Sequence, residues 1–408
     1  MNSSAQKLSV RWRVLAVGIA AMLFAGIIYS WSILKGPFQS DFGWGGSALA
    51  LNFTLTMCFF CLGAFVGGLL NRKIGISPTI VGAGILAGAG FILVSMLSGT
   101  SIVLLYLTYG CMGGLGIGIA YNTLLSAIGA WFPDKKGLCS GALLMGFGAS
   151  TLIFGSAANA LFETPAVGWR MTYVILGIAL CGVLLLAGIT LRLPSENAVF
   201  PKAKAEKSAG SEFFESQDYP SAKMIRRPAF WRAFICFVLL AAIGNSVISF
   251  AKDLALSVGS GTALATTLVG VLSVCNGFGR IITGALFDAA GRRITMLTAN
   301  LATIIAAGIT LVSVTITSLP LCIAGLCLTG LSYGACPTLV SSFTMAFYGT
   351  KYYPTNMAIM NFNLRFASFV ATVSSSLLTV FGSYSAPFIL SLGLAVGALF
   401  LNLSIRHP

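Results

Sequence analysis

Long apolar runs dominate the chain and follow one another from end to end. Each run is about 20 residues long, the length that an α-helix needs to cross the hydrocarbon core of a bilayer. Twelve runs are predicted to be transmembrane helices: 14–34, 48–70, 79–98, 101–130, 137–160, 171–191, 230–251, 262–287, 294–315, 319–347, 355–381 and 386–405. The sequence therefore predicts an all-α membrane protein with twelve transmembrane helices.

Composition agrees with that pattern, since 57% of the 408 residues are hydrophobic and only 8% are charged. Soluble domains carry about 25% charged residues. The first apolar run is too long for a secretory signal and has no small-residue cleavage site, so we expect it to remain as a span.

The net charge of +14 would suit a nucleic-acid-binding protein, but the positions of the charges do not. When the N-terminus is placed in the cytoplasm and the loops alternate, most of the 24 Lys and Arg residues fall in cytoplasmic loops. This distribution follows the positive-inside rule, in which basic loops orient a membrane protein. It predicts that both termini are cytoplasmic, that the partner surface is the lipid bilayer, and that nucleic acid is not a partner.

One long polar segment, 192–229, interrupts the apolar pattern. Its prolines and mixed charges are typical of a cytoplasmic linker. It separates two predicted six-helix halves, 1–191 and 230–408. The aromatic pairs Trp131-Phe132 and Phe347-Tyr348 occupy matching places near the predicted cytoplasmic ends of spans 4 and 10. Such an internal repeat is typical of transporters built from two related halves.

A second repeated feature follows spans 2 and 8, where a glycine precedes a polar residue, another glycine and basic residues. The predicted gating-loop residues are Gly67, Asn71, Arg72, Gly284, Asp288, Gly291, Arg292 and Arg293. In the first copy we place Asn71 at the position of Asp288. Because asparagine carries no charge, we expect the first loop to hold a cytoplasmic gate less firmly than the second.

The twelve spans, the central linker and the Gly-x-x-x-Asp-x-x-Gly-Arg-Arg loop resemble the major facilitator superfamily over nearly the whole chain. Several short strings are also similar to the oxalate–formate exchanger family: Tyr29-Ser30-Trp31, Gly116-Ile-Gly118-Ile-Ala-Tyr121, Trp131-Phe-Pro-Asp-Lys-Lys-Gly137, Asn276-Gly277-x-x-Arg280 and Ser332-Tyr333. The resemblance implies the major facilitator fold and the exchange of small carboxylates through a central cavity.

Two arginines, Arg280 in span 8 and Arg365 in span 11, lie well inside predicted spans. A guanidinium stays charged at neutral pH and costs ~2.5–3.5 kcal/mol at the bilayer centre. Counted at 1.5 Å per residue, the two lie ~12 Å and ~16 Å above the predicted cytoplasmic ends of their helices, near the midplane. The ten acidic residues all fall in loops or at span ends. We therefore predict a bound anion as their partner, and snorkelling to the interface is the alternative.

Polar and aromatic residues accompany the arginines. Asn276 shares a face of span 8 with Arg280, and Asn361 shares a face of span 11 with Arg365. Tyrosine offers a hydroxyl donor on an apolar ring, which suits one end of a small carboxylate. The predicted substrate-binding residues are Arg280, Arg365, Asn276, Tyr333, Tyr121, Tyr29 and Asn122. Packing and hydrogen bonding between helices are the alternative for the Asn and Tyr residues, and the preferred interpretation for Asn361.

The sequence predicts neither an enzyme nor a cofactor site, because it offers no set of nucleophile, base and orienting group. The ten cysteines fall within or beside spans, where thiols behave as small apolar residues. Cys58 and Cys61 form a CxxC pair for which packing is the expected role, and no metal site is predicted. The single histidine, His407, is predicted to belong to a solvated tail.

Together these features predict a monomeric secondary transporter in the cytoplasmic membrane that exchanges small organic anions, including a dicarboxylate such as oxalate, by alternating access. Two fixed cations without a fixed counter-charge favour obligatory exchange, because the empty site would resist dehydration. Two alternatives remain. A monocarboxylate–proton symporter would use a titratable relay within the membrane, and an anion-binding membrane sensor would carry a soluble signalling domain.

Overall fold

The computed structural model describes residues 9–99, 101–194 and 218–406, and within those ranges no residue belongs to a β-strand. The interior of the predicted linker, 195–217, and His407 lie outside the described residues. The α-helices are α1 (Ser9–Ala25), α2 (Trp31–Leu34), α3 (Gly36–Phe42), α4 (Gly46–Lys73), α5 (Ile76–Val94), α6 (Ile102–Leu105), α7 (Gly114–Trp131), α8 (Lys136–Ser150), α9 (Ser156–Glu163), α10 (Gly168–Thr190), α11 (Ser221–Ile225), α12 (Pro228–Ser257), α13 (Thr262–Thr315), α14 (Leu319–Tyr348), α15 (Tyr353–Met360), α16 (Asn363–Phe381) and α17 (Ser385–Ser404).

In the described ranges, ten helices are long and apolar enough to cross a membrane. Their bounds follow the predicted spans closely, as Gly168–Thr190 follows 171–191 and Ser385–Ser404 follows 386–405. One of the ten, Thr267–Thr315, joins two predicted spans. The predicted all-α membrane fold is confirmed, whereas the count of twelve spans and the side of the termini stay predictions.

The helix α13 is two helices joined at Gly291, which has φ 74° and ψ 179°. Glycine reaches a positive φ at little cost, whereas other residues avoid it. Gly75, between α4 and α5, has nearly the same angles, φ 87° and ψ 173°. The chain thus turns in the same way after the second and the eighth predicted spans.

The predicted eleventh span, 355–381, is not one unbroken helix, because α15 ends at Met360 and α16 begins at Asn363. Neither glycine nor proline marks this break. Instead, the Asn363 side chain donates a 2.7 Å hydrogen bond to the Met360 carbonyl. Asparagine competes in this way with the backbone N–H groups of a regular helix, so it can interrupt a helix without any change of backbone type.

The chain folds into two compact units, and neither is continuous in sequence. Unit 1 comprises Met1–Pro133, Gly146–Pro201 and Tyr353–Ile359, and unit 2 comprises Asp134–Met145, Lys202–Tyr352 and Met360–Pro408. Each unit therefore includes a short segment from the opposite half of the sequence, namely most of α15 in unit 1 and the first part of α8 in unit 2. The division into six-span halves around 192–229 stays a prediction.

Within unit 1, α4 and α7 pack with their backbones in close contact. A Cβ atom on Gly118 would lie 2.1 Å from the Phe60 carbonyl oxygen, and one on Gly114 would lie 2.5 Å from that of Thr56. Small residues allow membrane helices to approach closely. Gly114 and Gly118 of the fourth predicted span therefore have a packing role.

Candidate functional site

Arg280 lies in the first helix of α13, between two other helices of unit 2. A Cβ atom on Gly141 of α8 would lie 2.4 Å from the Arg280 carbonyl oxygen. A Cβ atom on Gly334 of α14 would lie 3.1 Å from the Arg280 backbone nitrogen. The Arg280 Nε donates to Asn276 Oδ1 at 3.1 Å, and Nη1 donates to the Leu144 carbonyl. The structure thus brings Asn276 and Arg280 together and fixes the direction of the guanidinium.

Tyr333 of α14 meets α12 at two neighbouring residues. Its hydroxyl donates a 2.6 Å hydrogen bond to Asn245 Oδ1. Its ring lies directly on Gly244, where an added Cβ atom would be 2.0 Å from a ring carbon. Sequence reasoning missed Asn245 and Gly244, because nothing in the local pattern shows which helix faces Tyr333.

Replacing Gly244 with alanine should displace the Tyr333 ring and break its bond to Asn245. Forcing an extra methyl group into a packed site costs about 1–3 kcal/mol, so we expect a lower unfolding temperature of the purified protein and weaker ligand binding. Gly270 is the matched control, because a Cβ atom there meets nothing within 4 Å. Equal unfolding temperatures for Gly244→Ala and Gly270→Ala would contradict this packing.

Arg365 lies in the first turn of α16, directly after the break in the predicted eleventh span. Its Nε is buried and has no hydrogen-bond partner among the residues that the structure describes. Asn361 Nδ2 and Asn363 Oδ1, on either side of the break, are in the same condition. Buried polar atoms without partners are costly, so this turn concentrates unsatisfied hydrogen-bonding groups within five residues of sequence.

Three contacts between neighbouring helices of unit 2 link the two arginines: Gly334 against Arg280, Cys336 Sγ with the Phe237 carbonyl at 3.6 Å, and the rings of Phe234 and Phe366 at 5.8 Å. At 1.5 Å per residue along α14 and α12, the positions of these contacts place the two arginines roughly 8 Å apart along the helix axes.

In unit 1, two of the predicted substrate-binding tyrosines, Tyr29 and Tyr121, pack against the same phenylalanine, Phe147. Tyr29, 38% exposed, meets the Phe147 ring edge-to-face at 5.4 Å. Tyr121, which is buried, contacts both Phe147 and Phe60 at 5.1 Å. Phe147 therefore joins residues from spans 1 and 4 into one aromatic cluster, a contact that the sequence pattern could not reveal.

Asn122 is fully buried in unit 1, and its side chain bonds to backbone. Its Nδ2 donates to the carbonyl oxygens of Ala64 at 2.8 Å and Pro354 at 2.5 Å. Both amide hydrogens therefore hold α4 and α15 to α7. This is the helix-to-helix role that was the alternative to substrate binding.

The second gating loop is held by Asp288. Its two carboxylate oxygens accept hydrogen bonds from the backbone N–H groups of Gly137 and Leu138, both at 2.8 Å. These groups belong to the first turn of α8, where a helix leaves N–H groups unpaired and favours negative charge. Gly284 and Gly137 touch backbone to backbone, and neither has room for a side chain.

The two basic residues of this loop, Arg292 and Arg293, differ in their contacts and exposure. The Arg292 guanidinium carbon lies 5.2 Å from the centroid of the Phe347 ring, and Nη2 donates to the Ile405 carbonyl at 3.5 Å. Arg293 is exposed. The loop thus combines a helix cap with a cation–π contact.

Backbone conformation shifts the register of the first gating loop by one residue from the predicted one. Gly75 matches Gly291 in its angles, and Gly68 approaches the Pro354 backbone in unit 1. When the residues of each loop are counted back from its positive-φ glycine, Gly68 aligns with Gly284. The exposed Arg72 then occupies the position that Asp288 has in the second copy. Gly67 instead packs on Ile119, and the buried Asn71 amide forms no hydrogen bond within the described residues.

Removing the Asp288 carboxylate should uncap α8. Loss of a helix N-cap costs about 0.5–2 kcal/mol, so Asp288→Ala should lower the unfolding temperature of the detergent-purified protein. Asp253→Ala removes an exposed carboxylate near the end of α12 and serves as the control. Identical unfolding curves for the two variants would show that the cap contributes no stability.

The residues that could hold a metal ion are dispersed. In the part of the chain that the structure describes, no group of three or more His, Cys, Asp or Glu residues is close enough to bind a metal ion. Cys58 is half-buried and Cys61 is buried.

Long apolar helices, two of which carry half-buried arginines well away from their predicted ends, are typical of a multi-pass membrane protein. The profile described as Major Facilitator Superfamily matches residues 14–372. The chain belongs to the major facilitator superfamily, and it is therefore a transporter and not an enzyme. Members of this family move small molecules across a membrane.

Several characterised and uncharacterised proteins are similar in sequence. The uncharacterised transporter YhjX of Escherichia coli is 30% identical over 69% of this chain and 67% of its own length. The oxalate:formate antiporter of Oxalobacter formigenes is 27% identical over 70% of this chain and 65% of its own length. Monocarboxylate transporter 12-B of Danio rerio is 28% identical over 68% and 61%. The chain thus aligns with about two thirds of each relative.

Solved structures share the fold at low sequence identity. The proton:xylose symporter XylE superposes with a TM-score of 0.75 at 14% identity, covering 98% of this chain and 96% of XylE. The transporter FucP in its outward conformation gives 0.71 at 12% identity, covering 97% and 99%. These similarities establish the major facilitator fold.

Proposed function

We propose that this protein is a secondary active transporter that exchanges small organic anions across the cytoplasmic membrane by alternating access. The cargo is a carboxylate, and the range includes a dicarboxylate such as oxalate. A monomer is sufficient for this activity, because the proposed cation pair, Arg280 and Arg365, lies within unit 2 of one chain.

The observation that carries this proposal is the buried, unpartnered Nε of Arg365 in the middle of a predicted span. A fixed positive charge there requires a counter-charge. The six acidic residues in the described ranges lie between helices or within a few residues of a helix end or break: Asp41, Asp134, Glu163, Asp218, Asp253 and Asp288. An anionic ligand is the counter-charge that remains.

The geometry of guanidinium groups and the names of the similar proteins both favour a carboxylate over other anions. Guanidinium groups bind carboxylates with two parallel hydrogen bonds. Arg280 and Arg365, roughly 8 Å apart along the helix axes, suit the two ends of a short dicarboxylate. The similar proteins include one named for oxalate and formate and one named for monocarboxylates.

Exchange follows from the charge on the empty site. Two guanidinium groups without cargo repel each other and resist removal of water, whereas a dianion neutralises both. The loaded carrier is therefore expected to change its direction of access readily and the empty carrier slowly.

The test uses purified protein in proteoliposomes loaded with labelled oxalate. Efflux should be fast when oxalate or formate is present outside and slow in buffer without carboxylate. Fast efflux into carboxylate-free buffer would overturn obligatory exchange. A proton symporter would instead accumulate formate in response to an imposed pH gradient, and a sensor would bind oxalate without moving it.

A further inference from the structure

Among the described residues of unit 1, three stretches inside predicted spans are helical but not α-helical. Gly26–Ser30 in the first span is a 3₁₀-helix, which is wound more tightly than an α-helix. Tyr106–Gly113 in the fourth span and Thr151–Gly155 in the fifth span are π-helices, which are wound more loosely. A 3₁₀ stretch in the middle of a helix often marks a hinge, and π-helices are frequent at functional sites. These three stretches are therefore the places in unit 1 to examine for movement.

The 3₁₀-helix of the first span packs along the π-helix of the fifth span. A Cβ atom on Gly26 would lie 2.7 Å from the Ser150 Cβ atom, directly before the π-helix. A Cβ atom on Gly155, at the end of the π-helix, would lie 3.3 Å from Ser30 Oγ. Because the two backbones are in close contact at both points, a change of winding in one span requires a matching change in the other.

The π-helix of the fourth span meets the same 3₁₀-helix through Tyr109. The Tyr109 hydroxyl donates a 3.4 Å hydrogen bond to the Ile28 carbonyl. Its ring centroid lies 4.7 Å from that of Trp31, which follows the 3₁₀-helix directly. The tightly wound stretch of the first span thus contacts both loosely wound stretches, and the three irregular segments form one connected group.

Two serine hydroxyls at the contact between the first and fifth spans are buried without a hydrogen-bond partner. Ser30 and Ser150 are both 0% exposed, and neither Oγ atom forms a hydrogen bond within the described part of the chain. Ser30 also ends the 3₁₀-helix with a ψ of 10°, whereas an α-helix has a ψ of about −42°. Buried hydroxyls without partners are costly. A change of winding that brings partners to these hydroxyls would remove that cost.

We propose that Gly26–Ser30 and Thr151–Gly155 form a hinge of unit 1, and that their winding changes together during alternating access. Rewinding the five residues of the 3₁₀-helix as an α-helix shortens the first span by about 2.5 Å and turns the part beyond it by about 100°. Tyr29, a predicted substrate-binding residue, lies near the end of this stretch and turns with it. The inference rests on the proposed transport by alternating access and assigns the movement of Tyr29 to this contact.

The variants Ser30→Ala and Ser150→Ala test the hinge against a purely structural role. Because each hydroxyl lacks a partner in the present winding, its removal should leave the unfolding temperature of the purified protein unchanged or higher. Exchange of labelled oxalate in proteoliposomes should nevertheless become about threefold to tenfold slower, because the rewound state loses the hydrogen bonds of these hydroxyls.

Ser313→Ala is the matched control. Ser313 is also 0% exposed, but its hydroxyl already donates to the Thr310 carbonyl at 2.7 Å. This variant should therefore unfold at a lower temperature than wild type and exchange oxalate at the wild-type rate. Folded Ser30→Ala and Ser150→Ala proteins that exchange oxalate as fast as wild type would overturn the hinge.

Hydrogen–deuterium exchange of the wild-type protein, followed by mass spectrometry, tests the hinge without any variant. Backbone amides in Gly26–Ser30 and Thr151–Gly155 should exchange at least about tenfold faster than those of α1 in the same span, because their hydrogen bonds change partners when the winding changes. Addition of oxalate should alter the exchange of both stretches together and leave α5 unchanged. Equal protection of these stretches and α1 would overturn the hinge, including where a serine variant does not fold.

The two measurements also separate this inference from the proposed function. If the wild-type protein exchanges oxalate while both stretches are as protected as α1, the proposed function stands and the hinge fails. If both stretches exchange deuterium rapidly and together in a protein that does not exchange oxalate, the hinge is supported and the proposed function fails.

Discussion

Replacing Arg280 with glutamine should abolish exchange of both monocarboxylates and dicarboxylates. Glutamine keeps a side chain able to bond to Asn276 but removes the charge. Truncating one member of a buried charged pair costs about 2–5 kcal/mol, which corresponds to a loss of affinity of about thirtyfold or more. The measurement is counterflow of labelled formate and labelled oxalate in proteoliposomes, with equal amounts of protein.

A matched control for Arg280→Gln is Arg13→Gln, which removes an exposed arginine on α1. Because Arg280 also donates to the Leu144 carbonyl, the unfolding temperature of each variant is measured alongside transport. Retention of more than half of the wild-type exchange by a folded Arg280→Gln protein would remove Arg280 from the site.

Replacing Arg365 with glutamine should separate the two classes of substrate. A dicarboxylate loses the partner of its second charge, so its affinity should fall by about 10- to 150-fold, corresponding to the ~1.5–3 kcal/mol of a hydrogen bond to a charged group. A monocarboxylate that is held by Arg280 should lose less than about threefold. Competition of unlabelled oxalate and formate against labelled formate uptake measures both affinities in one assay.

The conservative variant Arg365→Lys tests whether charge or geometry matters at this position. Lysine retains the charge without the planar donor set of arginine, so oxalate affinity should fall between that of wild type and Arg365→Gln. Equal, modest losses for oxalate and formate in Arg365→Gln would indicate a structural role and contradict a site for two carboxylates.

Periodicity and length were sufficient to predict most of the long helices that the structure describes. The runs of apolar residues are long, and their bounds match helices such as Gly168–Thr190 within a few residues. The repeated loops also proved informative, because a glycine with positive φ is needed at both turns. The exact register of the first loop required the backbone itself, since the adjacent glycines Gly67 and Gly68 are equivalent in the sequence pattern.

The contacts that organise the candidate site could not be predicted in the same way. The bond from Tyr333 to Asn245, and the shared contact of Tyr29 and Tyr121 with Phe147, join helices that are distant in sequence. One sequence shows which residues are polar but not which helices are neighbours. The break at Asn361 was missed for a different reason, because the chain there has neither glycine nor proline, and Asn361 was interpreted as a polar residue on one face of an unbroken helix.

The exchange of short segments between the two compact units has a consequence for folding. A polypeptide that stopped within the central linker would lack Tyr353–Ile359 from its own unit, and the complementary polypeptide would lack Asp134–Met145. Neither fragment holds everything its own interior needs, so each should be degraded when synthesised alone. When the two fragments are synthesised together in one cell, each should protect the other from degradation. Folding of each unit therefore depends on a segment from the other half of the chain.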